Sequence, residues 1–205
     1  MKIRLALVFV IGGLALAGCG GGGVSSVSPD GGLRAVQSVD SAATKLKCFS
    51  GTTDKSGYGG TCTLTPTGAV LDTAANGGGY AGVYISSTNN MKSRPLSQVD
   101  ALSFNFSGDP ATAGSPRFSV AYTTDGGATT NYAYVGAFYC NNGGLVDALH
   151  NAVCTIFTSV SPFVSYPNWA AFVAANPTAT LNGIPFIVAD DPGHSWTVTN
   201  VKISK

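Results

Sequence analysis

ALSFNFSGDPATAGSPRFSVAYTTDGG, residues 101–127, decides the fold. Leu102, Phe104 and Phe106 alternate with Ser103 and Asn105 in its first half. Phe118, Val120 and Tyr122 alternate with Arg117, Ser119, Ala121 and Thr123 in its second. A period of two places one set on each face of a β-strand. SGDPATAGSP separates the runs and TDGG follows them; Gly, Pro, Asp and Ser are the residues that turns require. The stretch therefore reads as two half-buried strands with their Phe residues inward and Asn105, Arg117 and Ser119 outward.

Working outward, the same alternation recurs in GVYISS (82–87), NYAYVGAFYC (131–140), VCTIFTSV (153–160), IPFIVAD (184–190) and HSWTVTNVKIS (194–204). CNNGG and DDPGH punctuate them. Many short alternating strands with such turns predict an all-β, antiparallel β-sandwich. One segment departs from this: in SYPNWAAFVAANP (165–177), Trp169, Phe172 and Val173 fall on one helical face. Asn168 or Ser165 caps its start and Asn176-Pro177 stops it. A second short helix is expected over 145–152. Neither an internal repeat nor a second linker interrupts the run, so one domain is expected.

The first residues carry an address. Lys2 and Arg4 precede an apolar run from Leu5 to Leu16, and small residues lead up to Cys19. This is the layout of a cleaved secretory signal, too short for a hydrocarbon core that needs about 20 residues. Leu16-Ala17-Gly18-Cys19 resembles the lipobox of bacterial lipoproteins. The resemblance implies cleavage after residue 18, a diacylglycerol on the Cys19 thiol and an acylated N-terminus (palmitate or a similar chain). Several chains on one residue hold a protein stably at a membrane. Residues 19–32 then read as a Gly/Ser-rich tether, and 33–205 as the domain. Whether 33–46 belongs to the domain or extends the tether is left open. Gly20, where an aspartate would signal inner-membrane retention, points towards the outer membrane or cell surface.

Composition narrows the function classes. The 205-residue chain is 10% charged, against about a quarter in ordinary domains. It has no glutamate, and its formal net charge is +1. Without Lys2 and Arg4, nine basic residues face ten aspartates. Phosphate binding needs clustered Lys and Arg, so nucleic acid is not an expected partner. Four cysteines remain besides Cys19: Cys48, Cys62, Cys140 and Cys154. An even number in an exported chain reads as two disulfides. Of three possible pairings, Cys48–Cys62 and Cys140–Cys154 are favoured because each pair brackets a short Gly- or Asn-containing stretch. A four-cysteine metal site would show close C-x₂₋₄-C pairs, which are absent.

The order of features from Gly79 to Ile203 resembles extracellular β-sandwich modules of the jelly-roll, carbohydrate-binding-like kind. LSFNF, PRFSV, the Trp169 helix, a strand ending in Asp190-Asp191 and the closing strand WTVTNVKIS carry the resemblance. It implies a binding module and names no activity, because function resides in sites and not in folds.

Candidate chemistry is sparse. Glycosidases need two carboxylates flanking the bond, and Asp190 and Asp191, as neighbours on a strand, would point to opposite faces. In a turn they would serve as turn formers or as oxygen ligands of a structural Ca²⁺. His150 and His194 read as turn residues; a Ser195–His194–Asp190 triad drawn from sequence neighbours has no G-x-S-x-G elbow to support it. The aromatics are more informative. Tyr132 and Tyr134 share one strand face, and Tyr80 and Tyr84 flank another strand. Together with Asn105, Arg117 and Ser119 they outline a shallow groove of apolar walls and placed polar groups, as small-ligand sites require. The alternative is that the two tyrosines are core. Trp169 and Trp196 read as core. The expected protein is thus an envelope lipoprotein with a non-catalytic domain that binds a glycan. An envelope protein as partner is the second expectation, and a hydrolase of envelope polymers the third.

Overall fold

A computed structural model describes residues 46–52, 59–73, 78–86, 91–140 and 143–204. The signal segment 1–18, Cys19, the tether 19–32 and residues 33–45 lie outside the described residues. The strands are β1 (Leu46–Thr52), β2 (Thr61–Thr65), β3 (Gly68–Asp72), β4 (Gly79–Ile85), β5 (Ala101–Gly108), β6 (Arg117–Thr123) and β7 (Asn131–Gly136). They continue with β8 (Leu145–Asp147), β9 (Ile156–Thr158), β10 (Ser165–Tyr166), β11 (Thr180–Leu181), β12 (Phe186–Ala189) and β13 (Ser195–Ser204). Among the described residues two short helices, α1 (Ala137–Cys140) and α2 (Trp169–Ala175), and a 3₁₀ turn at Leu96–Gln98 accompany the strands.

The strands form two sheets. One is eight-stranded in the order β1-β4-β12-β6-β7-β9-β10, with β11 added beside β6. The other is five-stranded, β2-β3-β13-β5-β8. All pairings are antiparallel. The fold is the expected antiparallel β-sandwich, and its core is the alternation read in the sequence. Phe118, Val120, Val135, Ile156, Val83 and Ile187 come from the larger sheet. Leu102, Phe104, Leu71, Val146, Trp196 and Val198 come from the smaller. Phe104 meets Phe118 edge-on at 5.1 Å between ring centroids, an arrangement that contributes about 0.5–1.5 kcal/mol beyond area burial.

Both favoured disulfides form, Cys48–Cys62 and Cys140–Cys154. The first ties β1 of one sheet to β2 of the other. Bridges of this kind belong to an oxidising, extracytoplasmic compartment. Among the described residues no helix is long and apolar enough to cross a membrane.

Helix α2 starts as read: the Asn168 side chain accepts from Ala171 N at 2.9 Å, a regular N-cap. Trp169 and Phe172 turn into the core.

Two expectations need correction. Residues 145–152 do not form a helix: Leu145–Asp147 is strand β8, paired with Ser103–Asn105 of β5, and turns follow it. The NYAYVGAFYC strand ends at Gly136, where the chain coils into α1 and carries buried Cys140 to its disulfide partner. The second helix therefore lies before the Gly-rich turn and not after it. Three strands, β1 to β3, stand where no strand had been read.

Candidate functional site

The outward face of the eight-stranded sheet is aromatic. Register places Lys47, Tyr84, Phe186, Ser119, Tyr134, Phe157 and Ser165 in one row across β1, β4, β12, β6, β7, β9 and β10. From Lys47 to Phe157 each is the outward member of its strand's alternation, because its strand neighbours point into the sandwich. The next row runs Phe49, Gly82, Val188, Arg117 and Gly136. With strands about 4.8 Å apart, the stretch from Tyr84 to Phe157 spans about 19 Å.

Glycines let the rings lie down on the sheet. A Cβ at Gly82 would collide with the Phe49 ring and the Ile187 carbonyl oxygen. One at Gly51 would strike the Tyr80 ring. Phe49 packs edge-on against Phe186 at 5.5 Å and tilts against Tyr80 and Tyr84, both at 6.4 Å. At the other side Tyr139 meets Phe157 at 4.7 Å, and exposed Phe138 meets Tyr139 at 5.2 Å. Tyr132 and Tyr134 lie parallel to within 7°, their centroids 6.2 Å apart. Neither tyrosine is core; both rings are half-buried on the outer surface.

A polar insert sits in the middle. Arg117 donates through Nη2 to Asp190 Oδ2 at 2.6 Å, through Nη1 to Asp190 Oδ1, and through Nη1 to the Gly114 carbonyl at 2.5 Å. The guanidinium carbon lies 5.4 Å from the centre of the Tyr134 ring, within cation–π range. Burial by itself would lower the Arg117 pKa, but the hydrogen bonds and charge of Asp190 more than offset it and the net shift is upward. Desolvation raises the Tyr134 phenol above its ordinary value, and the Arg117 charge opposes this. Burial alone raises Tyr80. Both phenols stay neutral at physiological pH, so the face offers hydroxyls and ring surfaces.

Of the residues selected from sequence, Tyr132, Tyr134, Arg117 and Ser119 come together here, with Tyr80 and Tyr84 on the same face. Ser119 is 2% exposed, roofed by its neighbours in the row. Asn105 does not join them. It belongs to β5 of the smaller sheet, and because Phe104 and Phe118 meet across the core, Asn105 points out on the opposite side of the sandwich. Phe49, Phe186, Phe157 and Tyr139 were missed; FIVA and CTIFT carried the signal, since their outward positions are large aromatics where polar residues are usual.

Asp190 and Asp191 diverge as their adjacency demands. Asp190 binds Arg117 and accepts from Ser115 Oγ at 3.1 Å. Asp191 accepts from Thr112 Oγ1 and from Gly114 N at 3.2 Å. Donors surround both carboxylates, whereas a cation needs several oxygens converging on one point, so this pair does not fit a Ca²⁺ site. Among the described residues no group of three or more His, Cys, Asp or Glu side chains is placed to hold a metal.

His194 stacks on Trp196 and lies 3.6 Å from Asp109, which also accepts from Ser195 N at 2.7 Å. With Asp190 committed to Arg117, the Ser195–His194–Asp190 triad is not assembled. His150 pairs with Asp147 at 3.0 Å on the surface.

Compared with known proteins, the chain matches no family model, and no curated protein matches it.

Proposed function

We propose that this is an envelope-anchored lipoprotein whose domain is a non-catalytic glycan-binding module, held at a bacterial membrane by the lipid on Cys19. The observation that carries the binding reading is the aromatic outer face of the larger sheet. Its ring surfaces match the apolar CH faces of sugars. The Tyr132 and Tyr134 hydroxyls and the Arg117–Asp190 pair supply placed hydrogen-bonding groups, the combination that orients a ligand on apolar walls. A contiguous row of half-buried rings with exposed Phe138 at its end is the kind of apolar surface that binding sites present. Gly20 favours the outer membrane or cell surface as the location.

A glycan-array screen of the oxidised protein, with and without calcium, tests the reading. Specific binding that Tyr134→Ala weakens and calcium leaves unchanged is expected. A blank array across neutral and acidic glycans would overturn it. Incorporation of labelled palmitate, lost in Cys19→Ser, tests the anchor separately.

A second reading has its own support. The same face, continued by Phe138, would suit an envelope protein partner, and crosslinking in intact cells would then trap a heterologous complex through this face.

A further inference from the structure

Among the described residues the most exposed large apolar side chain sits at a loop tip. Phe163 is 83% exposed, and residues 161–165, SPFVS, are all exposed. The loop is not loosely held. Thr158 donates from its N to the Val164 carbonyl at 3.0 Å and from its hydroxyl at 3.1 Å. Ser159 and Tyr132 bond reciprocally: Ser159 N to Tyr132 O at 2.9 Å, Tyr132 N to Ser159 Oγ at 2.8 Å. A pinned loop that holds a phenylalanine in solvent is an unusual use of apolar surface. Nor does charge surround it in the chain: between Asp147 and Asp190 there is no Asp, Glu, Lys or Arg.

Its position relative to the tether says what it faces. Leu46 pairs with Ile85, Val120 with Ala133, and Ala133 with Thr158, which bonds Val164; all lie at the same level across the sheet. Leu46, the first residue of β1, and the Phe163 loop therefore lie at the same end of the sandwich. They lie on opposite edges, β1 and β10, six strand spacings or about 29 Å apart. Twenty-six residues lie between Cys19 and Leu46, a reach of at most about 97 Å. A lipid on Cys19 and the Phe163 loop are thus able to meet one bilayer surface at once.

We propose that Phe163 and Val164 form a second membrane contact, inserting among the headgroups of the bilayer that holds the lipid of Cys19. The inference rests on the lipoprotein reading. A contact through the Phe163 tip stands the sheet upright on the membrane and turns its aromatic face sideways, perpendicular to the surface and open to polymers running along it. A single lipid would leave the domain free to tumble.

The test uses the full lipidated chain in vesicles of phosphatidylethanolamine and phosphatidylglycerol carrying brominated acyl chains. Phe163→Trp introduces a reporter at the tip, and Val153→Trp one at the opposite end, where Val153 is 58% exposed. Trp169 and Trp196 are buried and give a constant background. Loss of emission from Phe163→Trp but not from Val153→Trp is expected. Co-flotation of protein and vesicles without quenching at position 163 overturns the tip contact and leaves the anchor standing. Failure of the full chain to co-float overturns both.

Discussion

Arg117 and Asp190 form a two-pronged ion pair laid against the ring of Tyr134, at the centre of an otherwise apolar surface. The pair joins β6 to the residue that follows β12, so it fixes the turn after β12 as well as the polar centre of the face. Removing one partner leaves the other charge half-buried. For fully buried pairs that costs about 3–5 kcal/mol. With side chains 18% and 36% exposed, solvent screens part of it. Asp190→Ala is therefore expected to destabilise by about 1–3 kcal/mol in chemical denaturation, and Arg117→Ala by less, because Asp190 is the more exposed of the two.

Glycan affinity should follow the row and ignore the other sheet. An aromatic contact is worth about 0.5–1.5 kcal/mol, so Tyr134→Ala and Phe157→Ala are each expected to weaken binding about 2- to 12-fold in calorimetry. Asn105→Ala, on the opposite face, is expected to leave affinity unchanged. Equal losses at Asn105 and Tyr134 would contradict a site on the larger sheet.

The disulfide between the sheets should dominate the stability of the first strands. A loop closed across 14 residues is worth about 3 kcal/mol in the chain-entropy model. Replacing Cys48 and Cys62 together by serine is expected to lower unfolding free energy by about that amount. In a two-state melt, reductant should then produce a smaller further shift than it does in the wild type.

Asp125 gives an acid-dependent term. It accepts from the Thr123 hydroxyl at 2.5 Å and from Thr129 N at 2.9 Å, bracing the turn between β6 and β7. The Thr123 hydroxyl bond, then the Thr129 amide, hold its carboxyl well below the ordinary aspartate range. A depressed folded-state pKa contributes stability that is present above the unfolded value near 4 and lost as pH falls below it. Asp125→Asn should be less stable than wild type at pH 7, with the gap narrowing as pH drops below about 4.

Much of this was legible in the sequence, and the gaps have physical causes. Alternation in residues 102–106 and 117–123 assigns each side chain to a face of its own strand, which is why Tyr132, Tyr134, Arg117 and Ser119 meet. It does not say which sheet a strand joins, and Asn105 was lost on that ground. Strands β1 and β2 escaped because KCFSG and TCTLT place cysteine and serine where apolar residues usually advertise a strand, and a covalent bridge joins them there; β3, GAVLD, buries Ala69 and Leu71 but is only five residues long. The 145–152 segment has helix-compatible spacing, yet its backbone groups are taken up by the β5 edge. The aromatic row needed register, and register is a property of pairs of strands.

The Cys48–Cys62 bridge has a mechanical consequence. If the chain is tethered through its N-terminus, drag on a captured polymer pulls the domain against its anchor, and the tension arrives at Leu46. β1 is an edge strand, the kind that unzips one residue at a time under such a pull. Here the zipper is stopped at its third tooth: beyond Lys47 the tension passes through sulfur into β2 and is shared by both sheets.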